Sequence, residues 1–432
     1  MIVDPTLICE LLVGLGDVTV LGAEDDPGGP VRVHVETRGE RPVCPGCGGG
    51  VWFKDQRPVE LVDLAVFGRS ARLVWHKRRW ACPASACPVG SFTETADHIA
   101  SARLVMTDRA GRWVTEQAGR YRRSINELAV ELGCDWHTIN DTVIAYGTPL
   151  VEDPDRIGEV EALGVDETLF NRVGRWRTQQ WSTSIVDVGG GQLLDVIPGR
   201  SAAGACDWLD ARDPAWLDGI GYAVLDLSGP WRLAFDTMLP HATQIADPFH
   251  VVKLANQRLD EVRQRVQNAT LGHRGRKTDP LYRARRLLTM ADERLSADSR
   301  TKLMGLLDAG DPNGEVRTAW NAKEVVRMIY EHHDPDLALE FVTRLGADMQ
   351  YDECPPEIRQ LGRTITKWRH QIAAWHGAYF SNGPTEGANN LIKVVKRIAF
   401  GFKSFRNYRI RTLLYAGQPN WDLLAHITPT PP

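Results

Sequence analysis

No apolar run in this chain approaches the roughly 18 residues a bilayer-spanning helix needs, so a membrane protein is not expected. The start, Met1 to Pro5, lacks the basic-then-apolar layout of a secretory leader. Cysteine is scarce. Eight in 432 residues make no disulfide scaffold, and Cys9, Cys134, Cys206 and Cys354 stand isolated, as buried thiols of a reducing cytoplasm would. An excess of basic charge is missing too. The net charge of −4 and a pI near 6.3 argue against a simple nonspecific polyanion binder. There is no internal repeat, and no low-complexity tract beyond the short tail at 428–432. What remains is the composition of a soluble globular protein, 43% hydrophobic and 25% charged, too long for one ordinary core.

The other four cysteines are paired in sequence: Cys44 and Cys47 in Cys-Pro-Gly-Cys, then Cys82 and Cys87 in Cys-Pro-Ala-Ser-Ala-Cys. Two turns that each aim two thiolates at one point suit tetrahedral Zn²⁺ in a closed structural site. Between them, 51–80 alternates apolar and polar residues (Leu61, Leu64, Val66, Leu73, Trp75), the pattern of hairpin strands. A zinc ribbon over 31–98 is expected, with a disulfide pair or unrelated thiols as the alternatives.

Residues 99–150 read as helical. Within them, Ser124 and Glu127 form a capping box, and Leu128, Ala129 and Leu132 supply an inner face. Gly133 permits a turn and Asp135 can cap a second helix, which together make a helix-turn-helix pattern. Trp136, His137 and Asn140 at the start of the second helix are then the candidates for the major groove, against the alternative of a plain helical hairpin. Basic residues gather in two segments despite the acidic average. Arg263, Arg265, Arg274 and Arg276 belong to one; Lys393, Lys396, Arg397, Lys403 and Arg411 to the other. With Asn390 they form a candidate phosphate track.

After a linker at 152–161, strands are expected at 161–167, 179–187 and 192–198, a helix at 202–211, a strand at 221–226, a helix at 231–238 and a strand at 243–247. This order fits a ribonuclease-H-like α/β fold. From about 255 to 378 the chain reads as an all-helical insertion. The fold class expected is thus multidomain α/β: an N-terminal segment and zinc ribbon (1–98), a helix-turn-helix domain (99–150), and a ribonuclease-H-like catalytic domain (160–425) carrying that insertion.

In such a sheet the first and fourth strands are neighbours, so Asp166 and Asp226 at their ends converge, and Glu386 opens a late amphipathic helix. Hard carboxylate oxygens suit Mg²⁺, and two such ions serve in-line phosphoryl displacement. Each acid alone has a bland reading as a loop, turn or helix-start charge. Asp247, in Asp-Pro-Phe-His250, is an alternative second acid, with His250 as an accessory group. Glu167 should point to the opposite face.

The zinc ribbon, the helix-turn-helix, Gly164-Val-Asp-Glu167, Asp247-Pro-Phe-His-Val-Val-Lys-Leu-Ala-Asn256, Asn382-Gly-Pro-Thr-Glu-Gly-Ala-Asn389 and Gly401-Phe-Lys-Ser-Phe405 together resemble the ISL-three family of bacterial insertion-sequence transposases. The resemblance runs from about Cys44 to Leu424. It implies a DDE transposase that binds its terminal inverted repeats, cuts at the ends with two Mg²⁺ ions (Mn²⁺ as a substitute) and joins 3′-hydroxyls to target DNA. The triad carried over is Asp166, Asp226 and Glu386. Partners would be double-stranded DNA and further copies of the chain, at least a homodimer, in the bacterial cytoplasm at the nucleoid. A non-catalytic DNA-binding regulator and a purely hydrolytic nuclease remain the alternatives. Phe400, Phe402 and Phe405 are candidates for stacking on an unpaired base, or for packing the last helix.

Overall fold

The computed structural model describes residues 5–273, 275–331 and 334–430, in two compact units. One is Met1–Ile157 with Leu391–Pro432; the other is Gly158–Asn390.

The first unit opens with α1 (Pro5–Val13) and the strands β1 (Val18–Asp25), β2 (Val31–Thr37), β3 (Trp52–Val66), β4 (Arg69–Ala81) and β5 (Ser91–Thr93). They form a sheet of order β1-β2-β4-β3, with β5 on β4. The β3–β4 hairpin turns at Phe67 and Gly68, both left-handed (φ 51° and 78°), the backbone that matches strand twist in a tight hairpin. Val18, Val35, Leu73, Trp75 and Ile99 fill the core beneath. The strand β1 was not expected: only its first residues are inward-facing, so the alternation is too short to read. Three helices follow: α2 (Asp108–Gly119), α3 (Ile125–Leu132) and α4 (Trp136–Val151).

In the second unit, β6 (Ala162–Val173), β7 (Thr178–Asp187) and β8 (Gln192–Pro198) form an antiparallel meander. Helices α5 (Ala202–Asp210) and α6 (Pro214–Asp218) lead to β9 (Tyr222–Leu225); α7 (Gly229–Met238) leads to β10 (Thr243–Ala246). The sheet order is β10-β9-β6-β7-β8, with β9 parallel to both neighbours. Six helices come next: α8 (Pro248–Leu271), α9 (Pro280–Thr289), α10 (Ala297–Gly310), α11 (Glu315–Met328), α12 (Pro335–Asp348) and α13 (Pro356–Ala378). The last of these is no free-standing insertion, because Ala374, Trp375 and Ala378 pack on Ala162, Val224 and Ile245 of the sheet. Trp176, at the β6–β7 turn, is 85% exposed.

Helix α14 (Gly383–Ile398) begins in the second unit, and α15 (Phe405–Ala416) belongs to the first. The sequence reading kept 391–425 with the catalytic domain. In the structure α15 packs on α2 and α4 instead, because Gly119 and Gly147 leave room for Leu414. A Cβ on either glycine would come within 3.0 Å of that leucine, closer than carbon atoms pack. Among the described residues, no helix is long and apolar enough to cross a membrane.

Candidate active site and metal centre

The four paired cysteines meet. Cys44 Sγ lies 3.6 Å from Cys87 Sγ and Cys47 Sγ 3.6 Å from Cys82 Sγ, and all four sulfurs lie within 4.8 Å of one another. Zn–S bonds of about 2.3 Å place tetrahedral sulfurs ~3.8 Å apart, whereas a disulfide needs about 2.05 Å. The disulfide alternative is therefore excluded, and the donor set fits structural zinc. Two backbone turns build it: Gly48 N–H donates to Cys44 O (2.8 Å), and Cys87 N–H to Ala84 O (3.0 Å). The N–H groups of Gly46 first, and of Cys47, hold the Cys44 thiol down at about 7. At Cys82 the Ala84 N–H pulls the same way, but burial and the other three sulfurs outweigh it and push the thiol up to about 12. Crowded thiols resist joint ionisation, and a bound dication removes that conflict.

The helix pair α3–α4 forms as its sequence signals predict. Ser124 Oγ accepts from Glu127 N–H (3.2 Å), and Ser124 N–H donates to Glu127 Oε2 (2.9 Å). Gly133 takes the left-handed conformation (φ 61°), and Asp135 Oδ1 accepts from Thr138 N–H (2.9 Å). Trp136 is partly exposed, but Asn140 is buried, donating to Asp141 Oδ1 (3.1 Å) and accepting from Asn407 Nδ2 (3.3 Å). As a direct reader of bases, Asn140 is thus corrected to a helix-packing residue.

In the second unit Asp166 does not close its strand as expected, because β6 runs on to Val173 against β7, while Asp226 directly follows β9, the parallel neighbour of β6. The last registered pair of β6 and β9 is Gly164–Val224, and Asp166 and Asp226 each lie two residues beyond it. Asp226 Oδ1 is buried without a hydrogen-bond partner. Burial, then the charges of Glu167 and Asp166, push the Asp226 carboxyl up to about 6. Burial also raises the Asp166 carboxyl, with Glu167 adding to it. Both carboxyls sit in surplus negative charge that a bound cation would relieve, so the site fits a hard metal ion.

Glu167 does not face away, as the strand alternation predicted. Its Oε2 accepts from Trp231 Nε1 (3.2 Å), because α7 starts right after Asp226 and brings that buried tryptophan across. Asp247 has other work. It is 2% exposed and caps α8, with Oδ2 accepting from His250 N–H (3.2 Å) and Nδ1 (2.9 Å), and Oδ1 from Asn382 N–H (2.8 Å). With three donors already on its two oxygens, Asp247 is a poorer metal ligand than Asp226. The Asp247 hydrogen bond raises the His250 pKa, so the imidazolium is favoured beside the acids.

Glu386 sits in the first turn of α14, one turn before Asn389. Asn389 is buried. Its Nδ2 donates to Asp166 Oδ2 (2.7 Å), and its Oδ1 accepts from Thr168 Oγ1 (2.9 Å) and Ser184 Oγ (2.8 Å). Spacing from Glu386 placed Asn389 on a shared face but could not say which way that face looks. The three acids do not converge on a point: among the described residues, only the cysteines bring three ligand atoms within 4.8 Å.

The basic track is corrected in part. Arg263 is buried, paired with Asp260 and bonded to Gln267 Oε1 (2.5 Å). Arg265 is held by Glu357 (2.7 Å) and Glu315, so both brace helices. Arg274 lies outside the described residues. Arg276, Asn390, Lys393 and Arg397 are exposed, and Lys396 is half-buried. Phe402 and Phe405 pack on Tyr408 with ring centroids 5.5 and 5.6 Å away, whereas Phe400 is 98% exposed.

Comparison with known proteins places this arrangement. A family model described as a transposase, that of the ISL3 (ISL-three) group, matches residues 163–412, more than half the chain. A second, the zinc-finger of transposase IS204/IS1001/IS1096/IS1165, matches 40–87 and so takes in all four clustered cysteines. The chain is 24% identical over 419 residues to the transposase for insertion sequence element IS1001 of Bordetella parapertussis, covering 91% of this chain and 95% of that one. It is 25% identical over 408 residues to the transposase for IS1557 of Mycobacterium tuberculosis, covering 88% of each. The class is that of an insertion-sequence transposase with a zinc ribbon. Within it, the chain belongs to the ISL-three family.

Proposed function

We propose that the chain is a DDE-type DNA transposase: it binds the terminal inverted repeats of its own element, cleaves at the ends and joins 3′-hydroxyls to target DNA. The observation that carries the reading is the pair Asp166, on β6, and Asp226, just past the end of the adjacent parallel strand β9, each two residues beyond the last registered pair, with an orphaned buried oxygen on Asp226. Three antiparallel strands followed by two parallel ones, in the order β10-β9-β6-β7-β8, support a ribonuclease-H-like catalytic domain. The capped α3–α4 pair supports a helix-turn-helix that reads DNA in the major groove.

Asp166, Asp226 and Glu386 would hold two Mg²⁺ ions, which when bound supply activation of the attacking oxygen and stabilisation of the leaving one. The protein's own groups prepare the site. Asn389 fixes the Asp166 carboxylate through its Nδ2–H. Asp247 accepts from His250 Nδ1–H and favours the charged ring, whose Nε2–H would then donate to a phosphate oxygen. Lys393 and Arg397, one turn apart on the exposed face of α14, pair with DNA phosphates, as Arg276 does from the α8–α9 connection. Joining two ends calls for at least two copies of the chain in the DNA complex.

The test is incubation of zinc-loaded protein with labelled DNA carrying the element's ends, in Mg²⁺ and in EDTA. Metal-dependent nicking and strand joining are expected, both abolished by Asp166→Asn and Glu386→Gln while end binding persists. Binding without cleavage would point to a regulator. Nicking without joining would point to a nuclease.

A further inference from the structure

The first unit contains a cavity of about 590 Å³, of the size that small-ligand sites have. One wall is the start of α4, with Trp136 and Asp141; the other is the α14–α15 connection and α15 itself, with Phe400, Lys403, Arg406 and Arg411. Two features of this wall are costly to the fold.

The first is Arg411. It is 4% exposed, yet among the described residues its Nε has no hydrogen-bond partner, and its side chain's one hydrogen bond there is a 3.5 Å contact from a terminal nitrogen to Arg123 O. Burial lowers its pKa to about 10, and no carboxylate acts to restore it. A buried guanidinium without an anion is costly, and apolar residues would pack the same space at less cost. The second is Phe400. Its ring is 98% exposed and its backbone is left-handed (φ 53°), a conformation that glycine, not phenylalanine, adopts without strain. Gly401, next to it, is also left-handed (φ 98°), and Gly401 N–H donates to Lys396 O (2.9 Å), closing the end of α14 with the phenylalanine turned outward.

We infer that this cavity takes a single extrahelical nucleotide of the bound DNA: its base stacks on Phe400 and Trp136, and its phosphate pairs with Arg411. Charge decides the class of ligand. Lys403, Arg406 and Arg411 face one carboxylate, Asp141, so the cavity favours an anion. The aromatic side chains favour a flat ring on that anion, and base–aromatic stacking tolerates any base. Position agrees, since the cavity opens at the first residues of the helix proposed to read the groove. The inference rests on the DNA-binding reading above.

Extruding a nucleotide costs unpairing and unstacking energy, which a mismatch removes in advance. The experiment therefore scans single mismatches along duplexes of the element's terminal repeat and measures the affinity of the full zinc-loaded chain without Mg²⁺. At one position a mismatch should tighten binding by roughly tenfold or more. That gain should disappear in Arg411→Gln and in Phe400→Ala. The exposed Phe400 site keeps the test valid if the buried arginine variant does not fold. Specific end binding with no mismatch-favoured position, or a gain that survives Phe400→Ala, overturns the nucleotide pocket and leaves the transposase reading standing. Absence of any specific end binding overturns both.

Discussion

Asn389 connects three side chains through one amide. Thr168 and Ser184 donate to its oxygen, and its nitrogen donates to Asp166, which as a carboxylate can only accept. The amide orientation is therefore set by its partners, and the plane of the Asp166 carboxylate is set with it. Asn389→Ala should slow end cleavage roughly 10- to 100-fold and raise the Mg²⁺ needed for half-maximal rate, with end affinity unchanged. It should also destabilise the fold by about 2 kcal/mol, because buried hydroxyls lose their acceptor. Cleavage rates across a Mg²⁺ titration check this; an unaltered Mg²⁺ dependence would make Asn389 merely structural. The strand that carries Asp166 was legible only in its first half, since the apolar run ends there while β6 continues through mixed polar and apolar residues paired to β7. Asn140, Arg263 and Arg265 were misread for one reason. Sequence spacing gives a residue's neighbours on its own element, such as Asp260 for Arg263, while burial and the partners Asn407, Glu315 and Glu357 come from other helices.

At the scale of elements, β6 must accept the start of α14. Gly164 makes this possible: a Cβ there would lie 2.5 Å from Val188 Cγ2 and 2.6 Å from Thr385 Oγ1. Gly164→Ala should cost about 1–3 kcal/mol through overpacking and reduce cleavage more than end binding, since it pushes on the turn that carries Glu386. Thermal unfolding and cleavage assays together check both parts. The capped helix pair makes a different prediction. Hydrogen bonds from Ser124 to Glu127, and from Thr138 to Asp135, hold both carboxyls below their ordinary values of 4.5 and 3.8. Depressed acids stabilise the fold above those ordinary values, and the contribution is lost as pH falls through the folded ones. Asp135→Ala should therefore lower the melting temperature by roughly 2–4 °C at pH 7 and by progressively less as pH falls below 3.8; a loss that does not shrink on acidification would contradict the assignment. These caps were readable because capping is local in sequence. So was the order of strands from β6 to β10. The strand β1 and the short α6 were not, because each owes its conformation to neighbours rather than to its own pattern.

Over the whole molecule, the break between Ile157 and Gly158 falls inside the linker read at 152–161, but the return of the chain to the first unit at Leu391 could not be read. The apolar residues of α15 (Ile410, Leu413, Leu414) say that it packs, not on what; small residues on α2 and α4 decide that, some 270 to 300 positions earlier. The consequence is that the zinc site, the capped helix pair and α15 share one unit, while Asp166, Asp226 and Glu386 belong to the other. Zinc removal should act on the first of these. Cys44, Val51 and Trp80 form a small buried cluster with Cys82, Cys87, Val89 and Phe92 around it, too few apolar groups to hold a fold without the ion. A strong chelator, or Cys44→Ser, should release one zinc per chain and expose Trp80, shifting tryptophan emission to longer wavelength; Trp80→Phe should remove that shift. Specific end affinity should fall roughly tenfold or more as the ribbon loosens, while the unfolding transition of the acidic unit stays where it was. Unchanged emission and unchanged end affinity in zinc-free protein would mean that the four thiols hold the ribbon together without an ion, against everything their 3.6 Å spacing implies.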